Sequence, residues 1–339
     1  MNPGPLTALW LSAGGPRTLP EGASSAAPEV DATFFLILYI SLFFFVGIVG
    51  TMIYFVVKYR RRSPGQRTSP NEGNVHLEIV WTIVPAVIMV GLFYIGFRTW
   101  VKMHVPPQEA IEVRVTAFKW GWEFQYPRHS LSFKELIVPK GKPVKLIMSS
   151  RDVIHSFFVP AFRVKRDVLP GRYTVMWFKP TRTGSFDIRC AEYCGTSHSR
   201  MITRVHVWEY SKWKKWYDSG GGLDKLSPIE YGKHLFTTKC SSCHSDDKSR
   251  KKVIGPPLYG IYGKTEVMEG GAQVKVDDNY LRESIMYPQK KIVKGYATQN
   301  MNPFPELSDK QLNAIIDYIK TLGRKLPTGT PPKKSAPSK

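Results

Sequence analysis

Two short stretches carry most of the chemistry open to this chain. The first is Cys240-Ser241-Ser242-Cys243-His244. Two thiols at this spacing can add across the vinyl groups of one haem, and the histidine that follows reaches the iron as proximal ligand. A zinc site would need a second ligand pair at metal spacing, and the surrounding residues offer none. A transient disulfide would leave His244 without a role. The stretch therefore reads as a covalent haem c address.

The other two cysteines lie in Cys190-Ala-Glu192-Tyr-Cys194-Gly-Thr-Ser-His198-Ser-Arg-Met201. Two thiols, an imidazole and a thioether form a soft donor set that suits copper. A mononuclear blue-copper centre takes one Cys, two His and a weak axial Met, so here one Cys is surplus. The surplus is resolved if both sulfurs bridge two coppers, each with one His and one weak ligand. His155, in Asp152-Val-Ile-His155, is the best second imidazole, although a lone His at an apolar strand edge is more often a core residue. The carbonyl of Glu192 can fill the last weak position. A Cys190–Cys194 disulfide is the plain alternative in an oxidising compartment, but it explains neither His198 nor Met201.

These residues must be held by three kinds of element. Residues 34–57 and 79–97 are free of charge and would span about 36 and 28 Å as helices, enough for a bilayer core. Pro85 is tolerated in such a helix. The loop between them carries Lys58, Arg60, Arg61, Arg62 and Arg67, which places it in the cytoplasm and both flanks outside. From 101 to 210, period-two runs such as Ile111-Glu-Val-Arg-Val-Thr-Ala-Phe118 alternate with Gly and Pro turns, the pattern of a β-sandwich. Residues 211–226, with Gly220-Gly-Gly222, read as a linker. Residues 227–323 open on the capping box Ser227-Pro-Ile-Glu230 and close on a helix that begins Ser308-Asp-Lys-Gln311. That is the plan of a small all-α haem domain. Residues 1–33 are an uninformative extracytoplasmic segment, and the Lys/Pro-rich tail 324–339 lacks apolar residues to bury.

With the Cys-x-Glu-x-Cys-x-x-x-His-x-x-Met pattern, the upstream His and the Cys-x-x-Cys-His motif in this order, the chain resembles subunit II of a haem–copper cytochrome c oxidase. The resemblance is to the caa3 type, which carries a fused cytochrome c domain, and it leaves out only the two ends. It implies a two-helix transmembrane hairpin, a cupredoxin-like sandwich or barrel holding the binuclear CuA centre, and an all-α class I cytochrome c domain. By the same resemblance Met301 is the sixth haem ligand, preferred to Met268 and Met286, and the Pro256 carbonyl orients the proximal imidazole. Trp120, within an aromatic run, matches the electron-entry tryptophan. Glu78 matches a carboxylate at the mouth of a proton path. The Glu192 carboxylate is a candidate for Mg²⁺ at a subunit interface, since oxygen donors suit that ion. His76, His104, His129, His206 and His234 lack partners at ligand spacing and read as structural.

The net charge is +21, and residues 101–212 carry 19 Lys/Arg against 9 Asp/Glu. An exported membrane protein with haem and copper has no use for nucleic acid. The basicity points instead to an acidic donor, anionic headgroups or solubility. The resemblance implies an electron-input subunit in a bacterial plasma membrane, partnered by the O₂-reducing subunit I, with no O₂ chemistry of its own. A haem domain on a Gly-rich tether is expected to visit a docking face around Trp120 rather than bind it tightly. The rival readings are the same module feeding a nitric oxide reductase, or a stand-alone membrane-anchored redox carrier.

Overall fold

The computed structural model describes residues 19–67, 73–127, 129, 132–248, 254–297 and 301–323. The expected basic tail lies outside these residues, as does most of the N-terminal segment. Helices α1 (Ala27–Lys58) and α2 (Val75–His104) contain the two uncharged runs; α1 begins several residues earlier and ends one residue later, and α2 extends its run by several residues at both ends. The Asn74 side chain caps α2 by accepting from the Leu77 N–H at 3.2 Å, and Pro85 sits inside the helix without ending it. Both are long and apolar enough to cross a membrane, and none of their central residues is buried against protein. Phe43 and Phe93, at 74% and 70% exposure, need a surrounding that water does not provide.

The start of α1 and the end of α2 lie together, joined by Lys102 and Glu29 at 2.8 Å. Ahead of α1 the chain is stitched onto the β-domain. The Ala23 N–H donates to the Ala161 carbonyl at 2.8 Å, and its own carbonyl accepts from Thr181 N–H at 2.9 Å. Ala23 is fully buried there. The residues before α1 and the β-domain therefore occupy one end of the hairpin, and the basic loop occupies the other.

The β-domain is a sandwich of two five-stranded sheets. One sheet runs β3 (Ser132–Phe133), β2 (Gly121–Gln125), β1 (Ile111–Phe118), β5 (Val144–Ser150) and β8 (Thr174–Phe178). The other runs β4 (Leu136–Pro139), β10 (Ile202–Trp208), β9 (Gly184–Cys190), β6 (His155–Val159) and β7 (Val164–Val168). Alternate residues Val113, Val115 and Ala117 of β1 face the same core as Val144, Leu146 and Met148 of β5, as the period-two pattern requires. Cys190 ends β9 and Ile202 begins β10, so the second cysteine-rich stretch is the loop between two paired strands.

The expected linker is in part a structured element. Helix α3 (Tyr210–Asp218) packs Trp213, 4% exposed, onto the sandwich, with its indole N–H donating to the Ile137 carbonyl at 3.1 Å. Trp216 and Tyr217 follow on the same face and join Tyr126 and Phe133. Beyond Gly220–Lys225 the last domain is built on α4 (Pro228–Lys239), α5 (Asp278–Met286) and α6 (Asp309–Thr321). Both expected capping boxes are formed, at Ser227 and at Ser308. Helices α4 and α6 cross where a side chain on Gly232 would overlap the Ala314 carbonyl, so only glycine allows that approach.

Candidate redox sites

The β9–β10 loop gathers the soft donors within contact of one another. Cys190 Sγ and Cys194 Sγ are 3.8 Å apart, too far for a disulfide, and all four cysteines are free. Cys190 Sγ lies 3.9 Å from His155 Nδ1 and 3.2 Å from the Glu192 carbonyl. Cys194 Sγ lies 3.5 Å from His198 Nδ1 and 3.8 Å from Met201 Sδ. Each sulfur thus has its own imidazole and its own weak donor, which is the arrangement that two bridged metals require. His155 and Met201 are fully buried, Cys194 is 3% exposed, and the Glu192 side chain stands in solvent.

Local structure explains the geometry. His155 opens β6, and its Nε2 meets Asp152 Oδ1 at 2.9 Å, which turns Nδ1 toward Cys190. Burial alone would raise the Asp152 carboxyl. Hydrogen bonds from His155, the Lys119 and Val153 N–H groups and Asn302 hold it at about 2 instead. Sequence reading passed over Asp152, although it stands three residues before the imidazole it orients. The Cys194 thiol donates to Cys190 and holds it at about 3, against the pull of burial, while Cys194 itself moves up. A pair of thiols that gives up its first proton so readily suits a cation bound between them.

The haem motif follows the opposite logic. Burial pushes Cys240 up to about 12 and also raises Cys243. A site that disfavours thiolate suits uncharged thioethers and does not suit zinc. His244 Nδ1 is 2.8 Å from the Pro256 carbonyl, which leaves Nε2 for the iron. Burial also lowers its basicity, so the imidazole stays neutral. A side chain on Gly255 would come within 2.5 Å of the ring, so the histidine sits in a cradle that only glycine permits. Beside it opens a cavity of about 870 Å³, lined by Cys240, Cys243, His244, Pro256 and apolar residues of α5 and α6. Met301 lines this cavity, and neither Met268 nor Met286 does. The residues present fit a covalently held haem.

Trp120 borders both sites. It lines the cavity together with Cys243, its backbone N–H lies near enough to that sulfur to favour the thiolate, and its indole Nε1 donates to the Cys194 carbonyl at 3.3 Å. Gly195, at φ +119°, lies against the indole, and a Cβ there would meet the ring at 3.1 Å. Glu78 is exposed in the first turn of α2, among none of these groups.

Comparison with known proteins bears on both sites. Family models described as cytochrome c oxidase subunit II, transmembrane domain, and subunit II, periplasmic domain, match residues 12–98 and 130–207, and one described as cytochrome c matches 229–323. A relative from Thermostichus vulcanus called cytochrome c oxidase subunit 2 is 33% identical over 58% of this chain and 77% of its own. Another of that name, from Alkalihalophilus pseudofirmus, is 29% identical over 85% of this chain and 86% of its own. Among solved structures, the periplasmic domain of subunit II of cytochrome oxidase from Bradyrhizobium japonicum is 29% identical, with a TM-score of 0.33 over 35% of this chain and 98% of its own.

Two substitutions separate the sites. Cys194→Ser is expected to abolish a delocalised two-copper electron paramagnetic resonance signal while haem attachment stays complete; survival of that signal would exclude a bridging sulfur. Met301→Ala is expected to lower the haem potential and open the iron to added ligands. If Met286→Ala does so and Met301→Ala does not, the sixth ligand is Met286.

Proposed function

This chain belongs to the cytochrome c oxidase subunit 2 family, and on that premise we propose that it is the electron-input subunit of a proton-pumping oxidase. Electrons from an external donor enter at a covalent haem c and leave through a binuclear copper centre to a separate haem–copper subunit that reduces O₂ to water. The observation that carries this reading is the position of Trp120, whose backbone touches the haem-attachment sulfur Cys243 and whose indole touches the copper loop at Cys194.

Each residue has a task in this scheme. Cys240 and Cys243 would hold a haem covalently, and His244 and Met301 would serve as its protein ligands, with the Pro256 carbonyl orienting the imidazole. Thioether ligation favours the reduced iron and raises its potential, which suits an acceptor of electrons. Cys190 and Cys194 would hold the copper between them, with His155 and His198 as the imidazole donors and Met201 and the Glu192 carbonyl as weak donors. When bound, these groups supply one-electron carriers. The protein supplies a rigid loop between two paired strands and a dry wall of Trp122 and Phe157 behind His155, so that little has to move when charge changes. The exposed Glu192 carboxylate is free to meet Mg²⁺ where a neighbouring subunit supplies further oxygens. Glu78 marks the entrance of a proton path.

The soluble domains stand on the extracytoplasmic side of a bacterial plasma membrane. The support is the cluster of Lys58, Arg60, Arg61, Arg62 and Arg67 at the far end of the hairpin. The purified chain is expected to carry two coppers and one haem iron, counted by elemental analysis. One copper, or a zinc, would contradict the binuclear centre. Recovery of the chain without a large helical haem-binding subunit would favour the stand-alone carrier.

A further inference from the structure

The two soluble domains meet across one buried ion pair, Glu123 with Lys239, flanked by Arg151 and Glu306, which keep access to water. Lys239, the last residue of α4 and the neighbour of Cys240, is 7% exposed. Its Nζ lies 2.7 Å from Oε1 of Glu123 on β2 of the copper domain, also 7% exposed. Arg151 of the copper domain donates to Glu123 Oε2 at 2.8 Å and reaches Glu306 of the haem domain at 3.0 Å. Lys239 lies 3.8 Å from the same Glu306 oxygen, and Ser132 donates to Glu123. Two cations and two anions alternate, one of each sign from each domain, and together they are neutral.

Neighbouring contacts enforce the same pose. The Arg151 guanidinium lies over Phe118 of the copper domain and Phe304 of the haem domain, at 5.5 and 5.9 Å from the ring centres. Asn302, the residue after Met301, donates to Asp152 at 2.7 Å. Lys134 donates to Ser241 at 2.9 Å, and the His234 ring meets the Ser132 carbonyl at 2.8 Å. The tether is short as well, because α3 is anchored through Trp213 and only Ser219 to Ser227 separate it from the next helix.

A surface built for transient visits keeps its charges in water, where salt screens them and many poses are tolerated. The buried Glu123–Lys239 pair at the centre of the cluster behaves otherwise. Its desolvation is offset only where the two charges meet, so a slipped pose would strand Glu123 or Lys239 without its counter-ion. The short tether favours return to that one pose by raising the effective concentration of the two faces. Burial would raise the Glu123 carboxyl, yet Lys239, Arg151 and Ser132 together keep it below the usual carboxylate range, so Glu123 stays charged at neutral pH.

We propose that the fused haem domain is a fixed relay, seated over Trp120 by the Glu123–Lys239–Arg151–Glu306 cluster, so that an external donor reaches the copper only through the haem. This rests on the electron-input reading above. It replaces the expected tethered visitor with a docked one, and it closes the Trp120 face to soluble cytochromes.

The test uses the assembled oxidase. Light-triggered reduction of the haem is followed by the haem-to-copper rate while viscosity is raised about fivefold and salt to about 1 M, a concentration that screens solvated charges over about 3 Å. A fixed relay holds its rate under both changes, and soluble reduced cytochrome fails to reduce copper when the haem iron is replaced by redox-inert zinc. Lys239→Gln and Glu123→Gln are each expected to slow transfer by about tenfold or more, to make it viscosity-dependent and to admit the soluble cytochrome, with both metal spectra unchanged. The double variant is no slower than the singles, since the pair acts as a unit. If Lys239→Gln takes up no haem, Glu123→Gln on the other domain carries the test. A wild-type rate that falls in proportion to viscosity, or a Glu123→Gln rate equal to wild type, overturns the relay. A wild type that passes no electron from haem to copper at all refutes the electron-input reading, and the relay with it.

Discussion

The contact on which the two halves of this protein depend is that of the Trp120 indole with the backbone of the copper loop. The indole N–H is satisfied by the Cys194 carbonyl, and its ring lies against Gly195, whose positive φ and missing Cβ leave room for it. Because Trp120 follows the last residue of β1 by two positions, the sandwich fixes its backbone. That backbone is the part that meets Cys243 of the other domain. A side chain at 195 would crowd the indole, its Cβ falling 3.1 Å from the ring, and so strain the hydrogen bond to the Cys194 carbonyl. The loop sequence therefore serves the docking as well as the metal.

The same economy recurs at Asp152. One carboxylate oxygen orients His155, and the other accepts from Asn302, next to the expected haem ligand Met301. The loop that shapes one site thereby helps to seat the other. Farther out, the residues ahead of α1 add their backbone hydrogen bonds to the sandwich and bring the hairpin and the copper domain to one side. Each of these contacts limits how far a redox site can shift relative to its neighbour.

Much of this was legible in the sequence where the determinants are local. The donors of the copper loop lie within twelve residues of one another, the haem motif spans five, and both capping boxes span four. The strands announced themselves by alternation and the membrane helices by the absence of charge. What escaped was long-range. Glu123 and Lys239 are partners across 116 positions, and no periodicity links them. Arg151 and Glu306 are farther apart still. The helix within the expected linker was less legible for a different reason: the glycines at 220–222 dominate the segment, while Trp213, Trp216 and Tyr217 form the apolar face of one short helix at spacings of three and four. Asp152 was visible three residues before His155, but its meaning depends on the strand start that turns one toward the other.

The most direct measurement is the rate of electron transfer from haem to copper in a Trp120→Gln variant of the assembled oxidase, followed in single turnover. The structure predicts a slower step with both metal spectra unchanged, because the haem domain stays seated while the indole that spans the gap is gone. A rate equal to that of the wild type would contradict it and would place the route between the two centres elsewhere on the interface.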